Sequence, residues 1–320
     1  MLEVKQLSKT YDNMRGVNQI DFSMNRGEIV GFLGPNGAGK TTTMRLITGY
    51  LYPTKGEILV DGISMTNLPR AARRKIGYLP QTPPVYPELS VWGYMKFIAD
   101  LREIPRKQQK ERIEQVLTRL GFEGREQQVI RGLSQGFRQR LGLAQAIVHD
   151  PELLILDEPT SGLDPKQIIE VRSLISELSK ERTILLSTHI LQEVSSICNR
   201  VLIINDGKLV MDGKTDELMH SNSEGFEVTL AVKGPESEVL RTVNAIESVK
   251  SVQMAGRQAS DEASLARVKV KAFRDVREQL FYALAEAGYP ILEMSRSSVS
   301  LEDVFMKLTG SSSEEGESLE

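Results

Sequence analysis

The stretch "GPNGAGKT", Gly34 to Thr41, limits what this chain can fold into more than any other. It matches the spacing G-x-x-x-x-G-K-[ST] in full. That spacing works as a tight turn from a buried strand into a helix, where glycines let successive backbone N–H groups close around an anion. The flanks agree. "GEIVGFLG" before it is apolar nearly throughout, as a strand covered on both faces must be, and "TMRLITGYL" after it has helical spacing. The chain is therefore read as α/β with a phosphate loop. Gly34, Pro35, Asn36, Gly37, Ala38, Gly39, Lys40, Thr41 and Thr42 are its candidate nucleotide-binding residues. Lys40 can reach the β- and γ-phosphates, and the Thr41 hydroxyl can join a Mg2+ shell.

Such a loop needs a second acid to hold the hydrated metal. "LLILDEP" supplies Asp157 at the end of an apolar strand, followed at once by Glu158. A carboxylate at 157 can position the metal, and one at 158 can polarise an attacking water. Together these residues predict a nucleoside triphosphatase. A small-molecule kinase or a GTPase would share them, but the guanine-reading pattern N-K-x-D is absent from the sequence.

Composition narrows the partners. The 320 residues suffice for one large domain plus an appendage, or for two domains, and 40% hydrophobic content suits a packed core. Lys plus Arg is 40 against Asp plus Glu 43, so there is no electrostatic case for nucleic acid as a partner. The one cysteine, Cys198, excludes an internal disulfide and fits a reducing compartment. No apolar run approaches the roughly 18 residues needed to cross a bilayer. The chain is expected to be soluble by itself, with any membrane role reached through a partner.

The pattern along the chain predicts strands at "LEVKQLSKTY", on both sides of a turn at Asn25 to Gly27, and at "LLILDEP", "TILLST" and "RVLIINDG". Between them, from about residue 83 to 150, lies a helical insert. Ser90 is the expected N-cap of its first helix, and Gly121 the stop of its second. "RAARRK", Arg70 to Lys75, reads as a solvated turn in preference to a lipid-binding patch. After Met219 the pattern changes. "SNSEG" reads as a linker. Residues 224–310 then follow the order β-α-β-β-α-β, the split ferredoxin-like arrangement, with a last helix at "LEDVFMKL" in which Asp303 is placed as a capping-box acid. Residues 311–320 read as an acidic disordered tail.

The interval between the phosphate loop and the acids decides the class. It holds Gln81 in "YLPQTPP" and then "LSQGFRQR"; after the acids come "SGLD" and "STH". With this ordered series, residues 1 to about 219 resemble the ATP-binding subunits of ABC transporters. The resemblance implies a fold with a mixed sheet, an antiparallel N-terminal subdomain and the helical insert. It implies adenine stacking by Tyr11 and a place for Gln81 at the metal, at the attacking water and where a transmembrane partner docks. Asp164 then belongs to the D-loop, and His189 is the switch histidine at the γ-phosphate. Glu158, His189, Lys40 and Gln81 are the implied catalytic group, and Thr41, Gln81 and Asp157 the metal group.

"LSQGFRQR" stands where the family carries L-S-G-G-Q. Leu133, Ser134 and Gly136 remain, while Gln135 and Phe137 replace glycine and glutamine. Ser134 keeps a hydroxyl and Gly136 an unobstructed N–H, so a working signature with altered contacts is expected. In the family this signature binds the nucleotide held by a second subunit, which implies a homodimer, or pairing with a similar ATPase subunit, around two ATP. "SLEDVFMKLTG" resembles the ending of ATPases that serve ABC-2 type permeases, mostly exporters, which places the chain on the cytoplasmic face of a membrane through its permease. The C-terminal part itself reads equally as a structural or dimerising appendage and as a regulatory one. A soluble ABC ATPase acting on DNA or ribosomes is disfavoured by the charge and by the single cassette. A non-hydrolysing ATP-binding module is disfavoured by the presence of Glu158 and His189.

Overall fold

The protein is described by a computed structural model covering residues 1–11, 16–215, 226–254, 265–297 and 305. The expected linker "SNSEG", the polar loop at 256–264, the last helix apart from Phe305, and the acidic tail lie outside the described residues. The chain divides into two compact units, the first built on Met1–Thr215 and the second on Asp216–Lys307.

In the first unit, β1 (Leu2–Thr10), β2 (Gly16–Met24), β4 (Lys55–Val60) and β5 (Ile63–Ser64) form an antiparallel sheet in the order β2-β1-β4-β5. A second sheet holds β3 (Ile29–Leu33), β6 (Ile76–Leu79), β7 (Leu153–Asp157), β8 (Thr183–Thr188), β9 (Arg200–Asn205) and β10 (Lys208–Lys214), in the order β10-β9-β3-β8-β7-β6. Its strands are parallel except β10. β7 and β8 are buried at every residue, which is why they read as unbroken apolar runs. α1 (Lys40–Ile47) follows β3 and buries Met44, Leu46 and Ile47.

The helical insert between β6 and β7 contains α3 (Val91–Leu101), α4 (Arg106–Arg119) and α5 (Gln135–Ile147). Ser90 caps α3 by accepting from the Gly93 N–H, and Gly121 follows close on the end of α4. The basic run at 70–75 departs from its expected turn. α2 spans Pro69–Arg74, with proline in the first turn and two alanines inside. Ala72 is buried, Arg73 Nη2 donates to the Gly49 carbonyl at 2.7 Å, and Arg74 pairs with Glu103. α6 (Pro165–Leu178) and α7 (Leu191–Ile197) complete the unit. Cys198 ends α7. Burial pushes its thiol up to about 12, and its Sγ lies 3.1 Å from where a Cβ on Gly31 would sit.

The second unit runs β11 (Phe226–Lys233), α8 (Glu236–Asn244), β12 (Val249–Met254), β13 (Leu265–Ala272), α9 (Arg277–Glu286) and β14 (Ile291–Ser297). Its antiparallel sheet has the order β12-β13-β11-β14. Alternate residues of β13, Ala266, Val268, Val270 and Ala272, join Val239, Val243, Leu280 and Leu284 of the two helices in one core.

Candidate functional site

Four neighbouring strands deliver the site at their C-terminal ends. β3 runs into the phosphate loop, β8 ends just before His189, β7 ends at Asp157, and β6 leads to Gln81. This is where open parallel sheets place ligands. Asn36, Gly37, Gly39, Lys40, Thr41 and Thr42 line one cavity of about 480 Å3 together with Gln81, Glu158, Ser161 and His189. Two sequence positions more than 100 residues apart thus share a wall because β3, β8 and β7 are adjacent.

α1 begins at Gly39, whose φ of 107° lies in the left-handed region, and no N-cap side chain occupies its first turn. Its leading N–H groups are therefore open to an anion. Lys40 is only 5% exposed, yet its ammonium is fully engaged. Its Nζ donates to the carbonyls of Gly34 (2.9 Å) and Pro35 (3.1 Å) and lies 3.3 Å from Glu158 Oε1.

Glu158 is the hub. Besides Lys40, its Oε1 lies 3.3 Å from His189 Nδ1, and its Oε2 accepts from Gln81 Nε2 at 3.2 Å. Its backbone holds φ 47°, a conformation that costs a non-glycine residue about 1–3 kcal/mol and persists only where the surroundings enforce it. The enforcing contacts are on β8: the Glu158 N–H faces both the Ser187 carbonyl (3.0 Å) and the Ser187 hydroxyl (3.1 Å).

Asp157 is buried. Its Oδ1 accepts from Ser187 Oγ at 2.5 Å and from Thr41 Oγ1 at 3.3 Å. Burial pushes its carboxyl above the ordinary range, against the pull of the two hydroxyls. Its Oδ2 has no hydrogen-bond partner among the described residues. A buried carboxylate oxygen left over beside a threonine hydroxyl is a hard-oxygen donor set of the kind Mg2+ takes.

The remaining expected residues lie outside this cavity. Tyr11 is 40% exposed, with the Lys9 ammonium 5.8 Å from its ring centroid. Ser134 caps α5, its Oγ accepting from the Phe137 N–H at 3.4 Å, and Asp164 caps α6 by accepting from the Gln167 N–H at 2.9 Å. The two caps belong to one surface. A Cβ on Gly136 would meet Gln167 Cδ at 2.8 Å, and one on Gly162 would meet Gln135 Nε2 at 3.3 Å. Gln135 therefore turns toward the 161–164 segment. Phe137 packs edge-on to Phe122 at 5.4 Å, under the guanidiniums of Arg125 (4.6 Å) and Arg140 (5.3 Å). The ring that replaces the family's glutamine is thus part of the packing of the insert.

Sequence reasoning left two contributors without a role. Ser161 lines the cavity and accepts from Gln81 Nε2 at 3.4 Å, and Ser187 fixes both acids. Ser187 is found only through the parallel pairing that sets it opposite Asp157.

A family model described as ABC transporter matches residues 17–161. The bacitracin transport ATP-binding protein BcrA of Bacillus licheniformis is 34% identical over 312 residues, 97% of each chain. The Nod factor export ATP-binding protein I of Cupriavidus metallidurans is 34% identical over 316 residues, again 97% of each chain. Among solved structures, CbiO1 of Clostridium perfringens, part of the CbiONQ ABC transporter complex, is 30% identical with a TM-score of 0.63, over 76% of this chain and 94% of that one.

Proposed function

Because the chain belongs to the ATP-binding proteins of ABC transporters, a family of ATPases that dimerise and act with transmembrane permeases, we propose that it powers an exporter of the ABC-2 type. Two relatives named for bacitracin transport and Nod factor export match along 97% of both chains, so the likeness to them includes the second unit as well as the cassette. No helix among the described residues is long and apolar enough to cross a membrane. In this reading coupling passes through a permease, which would seat this chain on the cytoplasmic face.

The carrying observation is the Glu158 carboxylate, held in one cavity by Lys40, Gln81 and His189. In this reading ATP is the substrate. The open N–H groups of α1 and the Lys40 ammonium bind its phosphates, and Tyr11 stacks on its base. Thr41, Asp157 and Gln81 would hold Mg2+, which neutralises phosphate charge when bound. Glu158 accepts the proton of the attacking water, Gln81 and Ser161 help to orient it, and His189 and Lys40 stabilise charge on the γ-phosphate. Ser134, Gly136 and Asp164 complete the site of a second copy, since they lie outside the cavity of their own chain.

Replacing Glu158 by Gln keeps the shape and removes the base. ATP binding should persist, turnover should fall at least about 100-fold, and an ATP-bound dimer should accumulate in size-exclusion chromatography. Normal turnover in this variant would sink the reading.

A further inference from the structure

Glu193 takes no part in the chemistry above, yet it is among the best-satisfied charges in the chain. It is 1% exposed, in the first turn of α7. Its Oε1 accepts from the Thr160 hydroxyl and lies 3.6 Å from Arg172 Nη2 of α6. Its Oε2 accepts from the Thr188 hydroxyl at 2.6 Å. Both threonines are buried as well. The Thr188 oxygen also accepts from the Ile190 N–H at 3.0 Å, which pins the turn carrying His189.

These contacts close a ring. From Glu158, one path follows the chain two residues to Thr160. The other crosses from Glu158 Oε1 to His189 Nδ1 (3.3 Å) and follows the chain back to Thr188. Both paths end on the two oxygens of a single carboxylate. A buried charge with this many partners holds its neighbours in one arrangement, because each displaced partner leaves a desolvated group unpaired. The Thr160 arm also leads, through Ser161, to the segment that ends in the Asp164 cap of α6, the helix that carries Arg172.

We propose that Glu193 is a positioning residue for hydrolysis: it fixes the separation of His189 from Glu158, and ties that separation to the 160–164 segment facing the signature loop. The proposal rests on the function assigned above, in which His189 and Glu158 share the reaction. A loss of register between two such groups lowers the rate of the chemical step while leaving nucleotide binding to the phosphate loop intact.

The test uses the full chain and six variants. Glu193→Ala should lower kcat about 10- to 100-fold with ATP affinity, read by equilibrium titration with a fluorescent ATP analogue, within about 3-fold. Glu193→Gln, which keeps an acceptor and gains a donor, should restore most of the rate. In the double variant His189→Ala/Glu193→Ala the loss should be no greater than in His189→Ala alone, since both disable one unit. Where Glu193→Ala fails to fold, Thr160→Val/Thr188→Val exchanges the two hydroxyls that Glu193 accepts from for methyl groups and should give the same split. An unchanged kcat, a parallel fall in kcat and ATP affinity, or losses that multiply with His189→Ala would each overturn the proposal. If His189→Ala and Glu158→Gln themselves keep full turnover, the functional assignment has failed instead.

Discussion

Helix α1 and helix α5 both start beside a glycine-bearing loop, and their first turns are finished in different ways. α1 starts at left-handed Gly39 with no N-cap side chain, and its first lysine is drawn into the loop by two carbonyls and a carboxylate. α5 starts at Ser134, which caps its own helix, and its loop rests on the start of α6. In the proposed function the first is a finished half of a phosphate site, with Lys40, Gln81, Glu158 and His189 already around it. The second leaves Ser134 and Gln135 exposed and lies outside the cavity that gathers those side chains. Sequence spacing alone makes the two loops look alike. The caps separate them, because a helix end that satisfies itself does not need a ligand to be stable.

The sharpest way to break this comparison is a methyl group placed at each helix start. At Gly39 it would have to adopt φ 107° and would approach Val17 Cγ1 to 2.8 Å. Gly39→Ala should weaken ATP binding about 100-fold, the upper end of the ~1–3 kcal/mol that such backbone strain costs. At Gly136 the three atoms nearest the same methyl all belong to the Gln167 side chain, which can turn aside. Gly136→Ala should leave ATP binding by the isolated chain unchanged in calorimetry and weaken ATP-dependent dimerisation. Equal loss of binding in both would mean the two loops serve one nucleotide in one chain.

Next in size is a pH effect at the far end of α5. His149 follows that helix, its Nε2 set 2.9 Å from the Ile76 carbonyl. Burial, aided by the Arg102 charge, pulls its imidazole down to about 4 from the ordinary 6.5. The native ring stays neutral while the unfolded chain takes up a proton below about 6.5. Stability contributed here is therefore complete above that pH and is lost as pH falls toward 4. After screening at its part-exposed edge the loss is about 2 kcal/mol. In urea unfolding, His149→Gln should show a smaller drop between pH 7 and pH 5 than the parent chain.

Smaller effects refine the outward-facing loop. Phe137→Gln removes a ring contact and two guanidinium–ring contacts and should cost about 1–1.5 kcal/mol of thermal stability. Its restored polar group should nonetheless tighten the ATP-bound dimer in sedimentation. Ser134→Ala should cost about 1 kcal/mol through loss of the cap, without changing ATP binding by the single chain.

Much of the site was legible because it sits where apolar runs stop. "LLILD" and "TILLST" are buried at every residue, so the polar residues after them had to emerge at a strand end. Asp157 and Glu158 were found that way, while Lys40 came from the glycine spacing of its loop and His189 from the family resemblance, supported by its place after the apolar run. β4 and β10 were not found that way. β10 is an edge strand and β4 pairs with β5 over only two residue positions; both carry exposed and half-buried residues, and neither produces an apolar run. Ser187 and Glu193 were invisible for a different reason. Each is a single polar residue whose meaning depends on what lies opposite: Asp157 across a parallel pairing for the first, two distant threonines for the second. In the second unit, "ARVKVKAF" alternates in sequence and β13 alternates in burial, so that strand could be read directly. The residue at 137 shows the opposite case. Its substitution was visible, but its stacking on Phe122, Arg125 and Arg140 needed three contacts from elsewhere in the fold.

The buried sulfur at the end of α7 has a practical use. A thiol that titrates near 12 and is pressed against a strand glycine is almost never a thiolate at neutral pH, so it should ignore maleimides and spin labels. Because Cys198 is the chain's single cysteine, any new cysteine placed on the surface becomes the sole reactive handle without a background substitution. Probes set beside the signature loop could then follow two copies closing on ATP in an otherwise native protein.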